Sequence, residues 1–210
     1  MYKFCIVVLL ICMQTRAIAE PNSAGKAELT SQQAKALQSL NDVEEQQTRR
    51  ISKILRLKIT KLSDNRGQEY IGATVSRAEL QPYLAKLESI LGANFQQYRE
   101  RQAARDHQLF HMTIISPPEY QVADKTDIEK LLSLDVINGS FSGEVNVTLL
   151  GLGNVQLDNK ETYFIVAQSN DAQMIRQHFL LKNKDFHITL GFNPDDIYGV
   201  TKNSSTLITE

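Results

Sequence analysis

The sequence predicts an α+β domain assembled from two copies of one strand, helix, strand unit. Two observations carry this. The segments Phe110-His111-Met112-Thr113-Ile114 and Phe186-His187-Ile188-Thr189-Leu190 are near-copies, and each follows a strand-like stretch and then a helix-like one. A unit of that size cannot close a core alone, so the two pack together with approximate internal symmetry.

The elements follow in order. Lys3, the apolar run Phe4 to Met13 and the small-x-small tripeptide Ala17-Ile18-Ala19 have the pattern of a secretory signal, so residues 1–19 are expected to be removed on export. The apolar run is about half of the roughly 20 residues needed to span a bilayer, so no stable membrane span is expected after its removal. Residues 20–55 form an N-terminal segment: a polar stretch to Glu28, then an amphipathic helix from Thr30, with Gln33 completing a capping-box pattern. Its apolar face is Ala34, Leu37, Leu40, Ile51, Ile54 and Leu55, and the spacing carries it to about residue 56, as a helix docked on the domain or on a protein partner.

Residues 56–207 form the main domain. Residues 56–63 and 70–76 alternate as strands around the turn Asp64-Asn65-Arg66-Gly67, a hairpin. Ser76 caps a helix whose face is Leu80, Leu84, Leu87, Ile90 and Leu91, with Gly92 as its stop. A polar helix through about Arg105 leads to the first His/Thr strand, which Pro117-Pro118 ends. In the second copy, 144–150 and 155–157 read as strands around Gly151 and Gly153, 162–167 as another strand, Ser169 caps a helix over 170–181, and 185–192 is the second His/Thr strand.

Composition excludes several functions. Both cysteines, Cys5 and Cys12, lie in the signal, so the mature chain has no disulfide, thiolate nucleophile or cysteine-bound zinc. Without Lys3 and Arg16 the basic count falls from 23 to 21 against 24 acids, a net charge of −3, which is not that of a general nucleic-acid coat. Arg49, Arg50, Lys53, Arg56, Lys58 and Lys61 form one basic stretch and Arg99, Arg101 and Arg105 another; each reads as a solvated face before it reads as an RNA track. Gly151-Leu152-Gly153 lacks the rest of a dinucleotide fingerprint and reads as a bulge or turn. No metal-ligand spacing or nucleophile elbow occurs, so no cofactor is expected.

The chemistry sits in the repeat, which uses two of only four histidines. Residues i and i+2 of a strand share a face, so each copy presents an imidazole and a hydroxyl together, with Met112, Ile114, Ile188 and Leu190 on the other face. Adjacent strands would converge two imidazoles and two hydroxyls on one cleft, where one imidazole takes a proton, the other gives one, and the hydroxyls bond phosphoryl oxygens.

The two motifs, with the tail His187-Ile188-Thr189-Leu190-Gly191-Phe192 and the following Asp196-Ile197-Tyr198-Gly199-Val200-Thr201-Lys202, resemble the 2H phosphoesterase superfamily and its Swiss-army-knife RNA-repair-like branch. The resemblance covers roughly residues 56 to 207 in order of elements. It implies a two-lobed fold with a pseudo-two-fold repeat and antiparallel sheets lining a central cleft. It also implies metal-independent cleavage of a phosphodiester, a 2',3'-cyclic nucleotide or an RNA end, with His111 and His187 as general acid and base and Thr113 and Thr189 on the non-bridging oxygens. Lys202 is expected to add a cation to the phosphate site. Tyr198 stands where a histidine is expected in some relatives. Tyr120 is a candidate to stack on a base, with packing under its loop as the plainer reading. The protein is expected to be a secreted or periplasmic monomer. Rival readings are a non-catalytic nucleotide- or phosphate-binding protein of the cell envelope, and an interaction protein working through the helix near 30–56.

Overall fold

The computed structural model describes residues 53–133 and 143–208, together with Lys35 and Gln38, both helical. The chain divides into two compact units, residues 1–50 and 51–210. The expected signal segment and most of the expected 30–56 helix lie outside the described residues. The end of that helix is corrected. Ile54 and Leu55 belong to β1 (Lys53–Ser63), where Leu55, Leu57 and Ile59 are buried at period 2 while Ile54 is 69% exposed. Pairing with β4 decides the matter, because a strand edge satisfied along Lys53 to Lys58 outweighs a helical pattern that ends in the same residues.

β1 and β2 (Glu69–Val75) form the expected hairpin; the Asp64 carboxylate accepts from the Arg66 and Gln68 amides, and Gly67 turns the chain at φ +77°. Ser76 caps α1 (Arg77–Leu91) by accepting from the Glu79 amide, and Gly92 ends it at φ +51°. Then come α2 (Phe95–Arg105) and β3 (Phe110–Ile115). Two short helices were not anticipated: α3 (Pro117–Val122) and α4 (Lys125–Leu132). The proline pair that stops β3 also starts α3, since proline is tolerated in a first turn, and Glu119 reaches back to the Ser116 amide at 2.8 Å. The signal Ser-x-x-Glu was present in the sequence.

The second copy has one long strand, β4 (Glu144–Leu157), in place of the two short ones expected, with a bulge between Leu149 and Gly151 that keeps it continuous. β5 (Lys160–Gln168), α5 (Asn170–His178), capped by Ser169, and β6 (Phe186–Asn193) complete it. The six strands close in the order β1-β2-β3-β6-β5-β4, all antiparallel. Each copy contributes three consecutive strands. The copies join twice, β1 on β4 and β3 on β6, as a two-fold relation requires.

Each His/Thr strand carries a bulge just past its threonine. In β3, Thr113 opposes Gly72 and Ile115 opposes Ile71; in β6, Thr189 opposes Phe164 and Gly191 opposes Tyr163. The extra residues are Ile114 and Leu190, and both of their carbonyls accept from a buried arginine. Arg176 of α5 donates to the Ile114 carbonyl at 2.7 Å, and Arg99 of α2 donates to that of Leu190. Each copy thus braces the bulge of the other. Arg176 also forks onto the Glu119 carboxylate at 2.7 and 3.0 Å, and Arg99 lies 4.4 Å over the Phe110 ring. Close seating of α2 on β6 needs Gly191, because a Cβ there would stand 3.0 Å from the Tyr98 Cβ and 3.2 Å from its backbone.

Loss of a buried arginine strands both a carbonyl and a carboxylate. Arg176→Met is expected to lower the unfolding free energy by roughly 2–4 kcal/mol in urea, with an unchanged slope. Lys130→Met, which removes an exposed i,i+3 pair with Asp127, should leave the midpoint where it is. Equal midpoints for the two variants would show that the arginine brace contributes nothing.

Candidate active site

The β3–β6 junction has one ladder pair, Met112 opposite Ile188. Antiparallel register then sets His111 across from Thr189 and Thr113 across from His187. Met112, Ile114, Ile188 and Leu190 turn into the hydrophobic core, fully buried. The opposite face opens on a cleft of about 1080 Å³ lined by both histidines and both threonines, with Tyr70, Arg105, Asp106, Lys184, Phe192, Asp196 and Tyr198 around them. The face alternation read from the sequence therefore holds, and the bulges come only after the threonines.

The surroundings of the two imidazoles differ. Tyr70, on β2, places its hydroxyl 3.1 Å from His111 Nε2, and the rings lie 5.4 Å apart. Burial raises the Tyr70 phenol well above its ordinary range, so the hydroxyl keeps its proton. Its counterpart in the second copy, by register, is Thr162, and Thr162 does something else. Its hydroxyl donates to Asp196 Oδ1 at 3.0 Å, and the same oxygen accepts from Lys202 Nζ at 3.2 Å and from the Ile197 amide at 2.8 Å. Arg105 pairs with the other Asp196 oxygen and with Asp106. Lys202 Nζ then stands 3.5 Å from His187 Nε2, and Phe164 packs edge-on against the His187 ring at 5.6 Å. His187 Nδ1 is sealed from solvent.

Burial is the main cause that pulls His111 below its ordinary value of 6.5; Asp106 opposes it and Arg105 adds to it. His187 is pushed below the same value first by burial and then by the Lys202 cation, with Asp196 pulling the other way. Burial would raise the Asp196 carboxyl, but Lys202 and Arg105 outweigh it and hold it ionised. Both imidazoles are therefore neutral at pH 7 in the free protein.

Of the residues singled out in the sequence, His111, Thr113, His187 and Thr189 line the cleft together. Lys202 lies behind His187, 3% exposed and paired with Asp196, and does not line the cleft. Tyr120 is placed elsewhere: 4% exposed on α3, it donates to Glu69 at 3.1 Å with Lys125 over its ring, so neither face is open to a base. That is the plainer of the two readings made for it. Arg99, Arg101 and Arg105 are not a solvated face; Arg99 is the bulge brace, Arg101 donates to the Pro194 carbonyl at 2.9 Å, and Arg105 holds Asp196. Sequence reasoning missed Tyr70 and Asp196 as site residues. Asp196 had a signal in the tail of the second motif; Tyr70 had none, being one aromatic residue at a strand start. Among the described residues no cluster of three or more metal-ligating side chains occurs.

A family model described as the Swiss Army Knife, 2H phosphoesterase domain matches residues 69–198. The match takes in both His-x-Thr motifs and more than half of the chain, and the chain belongs to the 2H phosphoesterase superfamily, in its Swiss Army Knife branch. The superfamily is generally one of phosphodiesterases, and the mixed helix and antiparallel sheet architecture agrees with the α+β expectation. No curated protein and no solved structure matches the chain significantly.

Stability should report the depressed histidines. Both bind protons more weakly folded than unfolded, so stability is full above 6.5 and falls as pH drops through that value. Glu119, held at about 2 by Arg176 and Ser116 against the effect of burial, adds a second loss that begins below its ordinary 4.5. The urea midpoint should be flat from pH 8 to 6.5 and decline below it, and a His111→Asn/His187→Asn variant should stay flat down to about 4.5. A midpoint insensitive to pH between those values in the unaltered protein would contradict this.

Proposed function

We propose that this protein is an exported, metal-independent phosphodiesterase that hydrolyses a cyclic phosphate, a 2',3'-cyclic nucleotide or an RNA end, by paired-histidine acid/base catalysis. The observation that carries the reading is the β3–β6 register, which sets each imidazole beside the hydroxyl of the other motif. In-line attack at phosphorus needs a base for the incoming water and an acid for the leaving oxygen, and two neutral imidazoles sharing one proton supply both. Thr113 and Thr189, held on strands, offer donors to the equatorial oxygens without reorganisation. The anionic phosphate itself favours uptake of the needed proton, because it stabilises an imidazolium beside it. The size of the cleft and the exposed Tyr198 ring at its rim, with its hydroxyl 3.3 Å from Arg105, suit a nucleotide or a strand end. Export is supported by the pattern of residues 1–19.

Phosphorus NMR with 2',3'-cyclic nucleotides and cyclic-phosphate-ended RNA tests this directly. His111→Ala and His187→Ala should each lower kcat/KM by about 10²- to 10⁴-fold with the fold retained, and EDTA should leave the rate unchanged. Full turnover in either variant would overturn the assignment. The productive free protein has one imidazole charged and one neutral, and that form peaks between two values that both lie below 6.5. The kcat/KM profile should therefore be a bell with its maximum on the acid side of 6.5, and a maximum above pH 7 would be incompatible with it.

A further inference from the structure

We propose that Lys202, anchored by Asp196, keeps His187 uncharged and so gives the two histidines unequal roles: His187 is the base and His111 the acid. The division of roles rests on the phosphodiesterase reading; the effect of Lys202 on His187 does not. Lys202 lies four residues beyond the matched family segment, which ends at Tyr198.

The argument is geometric. An ammonium nitrogen 3.5 Å from His187 Nε2, buried and facing it, cannot coexist cheaply with a second positive charge on the ring. One of the two must be neutral, and Asp196 decides which. Its Oδ1 holds Nζ at 3.2 Å and is itself fixed by Thr162 and the Ile197 amide, so the charge stays on Lys202. With Nδ1 sealed away, a lone pair facing Lys202 is retained on Nε2, the nitrogen left to take a proton. The other charged group acting on the ring is Lys184, from the segment leading into β6, which has the same sign as Lys202. Arg105 acts through Asp196, whose second oxygen it occupies.

His111 has no such neighbour. The Tyr70 hydroxyl at 3.1 Å donates to a neutral imidazole and accepts from a charged one, so it serves both states. Of the charged groups around it, Asp106 and Asp196 favour the imidazolium and Arg105 opposes it. The reaction then balances. His187 takes a proton from water as the new O–P bond forms, the P–O bond to the leaving oxygen breaks, and His111 protonates that oxygen. Exchange with solvent restores both rings. Lys202 does not line the cleft and acts only through His187, as a positioning residue.

Carbon-13 and nitrogen-15 NMR titration of the histidine rings in the ligand-free protein tests the proposal. In the unaltered protein His187 should titrate below His111. In Lys202→Met its transition should move up by about one pH unit or more, with His111 little changed, while Lys202→Arg should leave it low. Lys202→Met keeps Asp196 paired with Arg105 and Thr162, which favours folding, and the order of titration in the unaltered protein needs no variant. His187 titrating above His111, or an unmoved His187 in Lys202→Met, would overturn the proposal. The acid limb of kcat/KM should rise with the His187 transition, as a purely structural lysine would not require. If no substrate turns over while the NMR shifts appear as stated, the phosphodiesterase reading fails and the control of His187 by Lys202 stands.

Discussion

The cleft depends on two carbonyls. A strand that bulges frees a backbone acceptor, and a free acceptor inside a protein is costly unless a donor is brought to it. Here the bulges come one residue past each threonine, and the donors are Arg176 and Arg99, each reaching across to the other copy's strand. The bulge ends the alternation that holds His and Thr on the cleft: strict alternation from Thr189 would bring Gly191 and Asn193 there, and Phe192 lines it instead. Gln102 extends the brace, accepting from Arg99 at 2.6 Å and donating to the Leu109 carbonyl at 2.8 Å just before β3. Helices, strands and cleft are thus tied through buried guanidinium groups as well as through the ladder pair that joins β3 to β6.

The two-fold relation is one of backbone and not of charge. Register makes Gly72 equivalent to Phe164 and Tyr70 equivalent to Thr162. On one side an aromatic hydroxyl bonds the imidazole directly. On the other, a threonine secures a carboxylate, the carboxylate secures a lysine, and the lysine faces the imidazole. A duplicated frame can therefore give its two histidines different electrostatic surroundings, on which a division into base and acid can rest.

Local signals were legible where local physics decides them. Ser76, Gly92 and Ser169 mark helix ends because their caps need only neighbouring backbone, and Asp64 to Gly67 marks a turn for the same reason. The His/Thr strands were legible because alternation is intrinsic to a strand. The reading failed where partners decide. Ile54 and Leu55 fit a helical face until β4 pairs with them, and 144–157 looked broken at its glycines until the bulge showed one continuous strand. Arg99 read as part of a solvated patch because nothing in a sequence announces that a bulge elsewhere lacks a donor.

The sequence by itself determined the repeat, the α+β class, the alternating faces and the four cleft residues His111, Thr113, His187 and Thr189, because each follows from periodicity and from residue chemistry within a few positions. Tertiary structure alone decided that the two motifs meet in register, that Tyr120 is packed away, and that Lys202 stands behind His187 instead of in the cleft. Those outcomes depend on pairing between residues tens of positions apart and on burial, and the electrostatics of the site follow from burial.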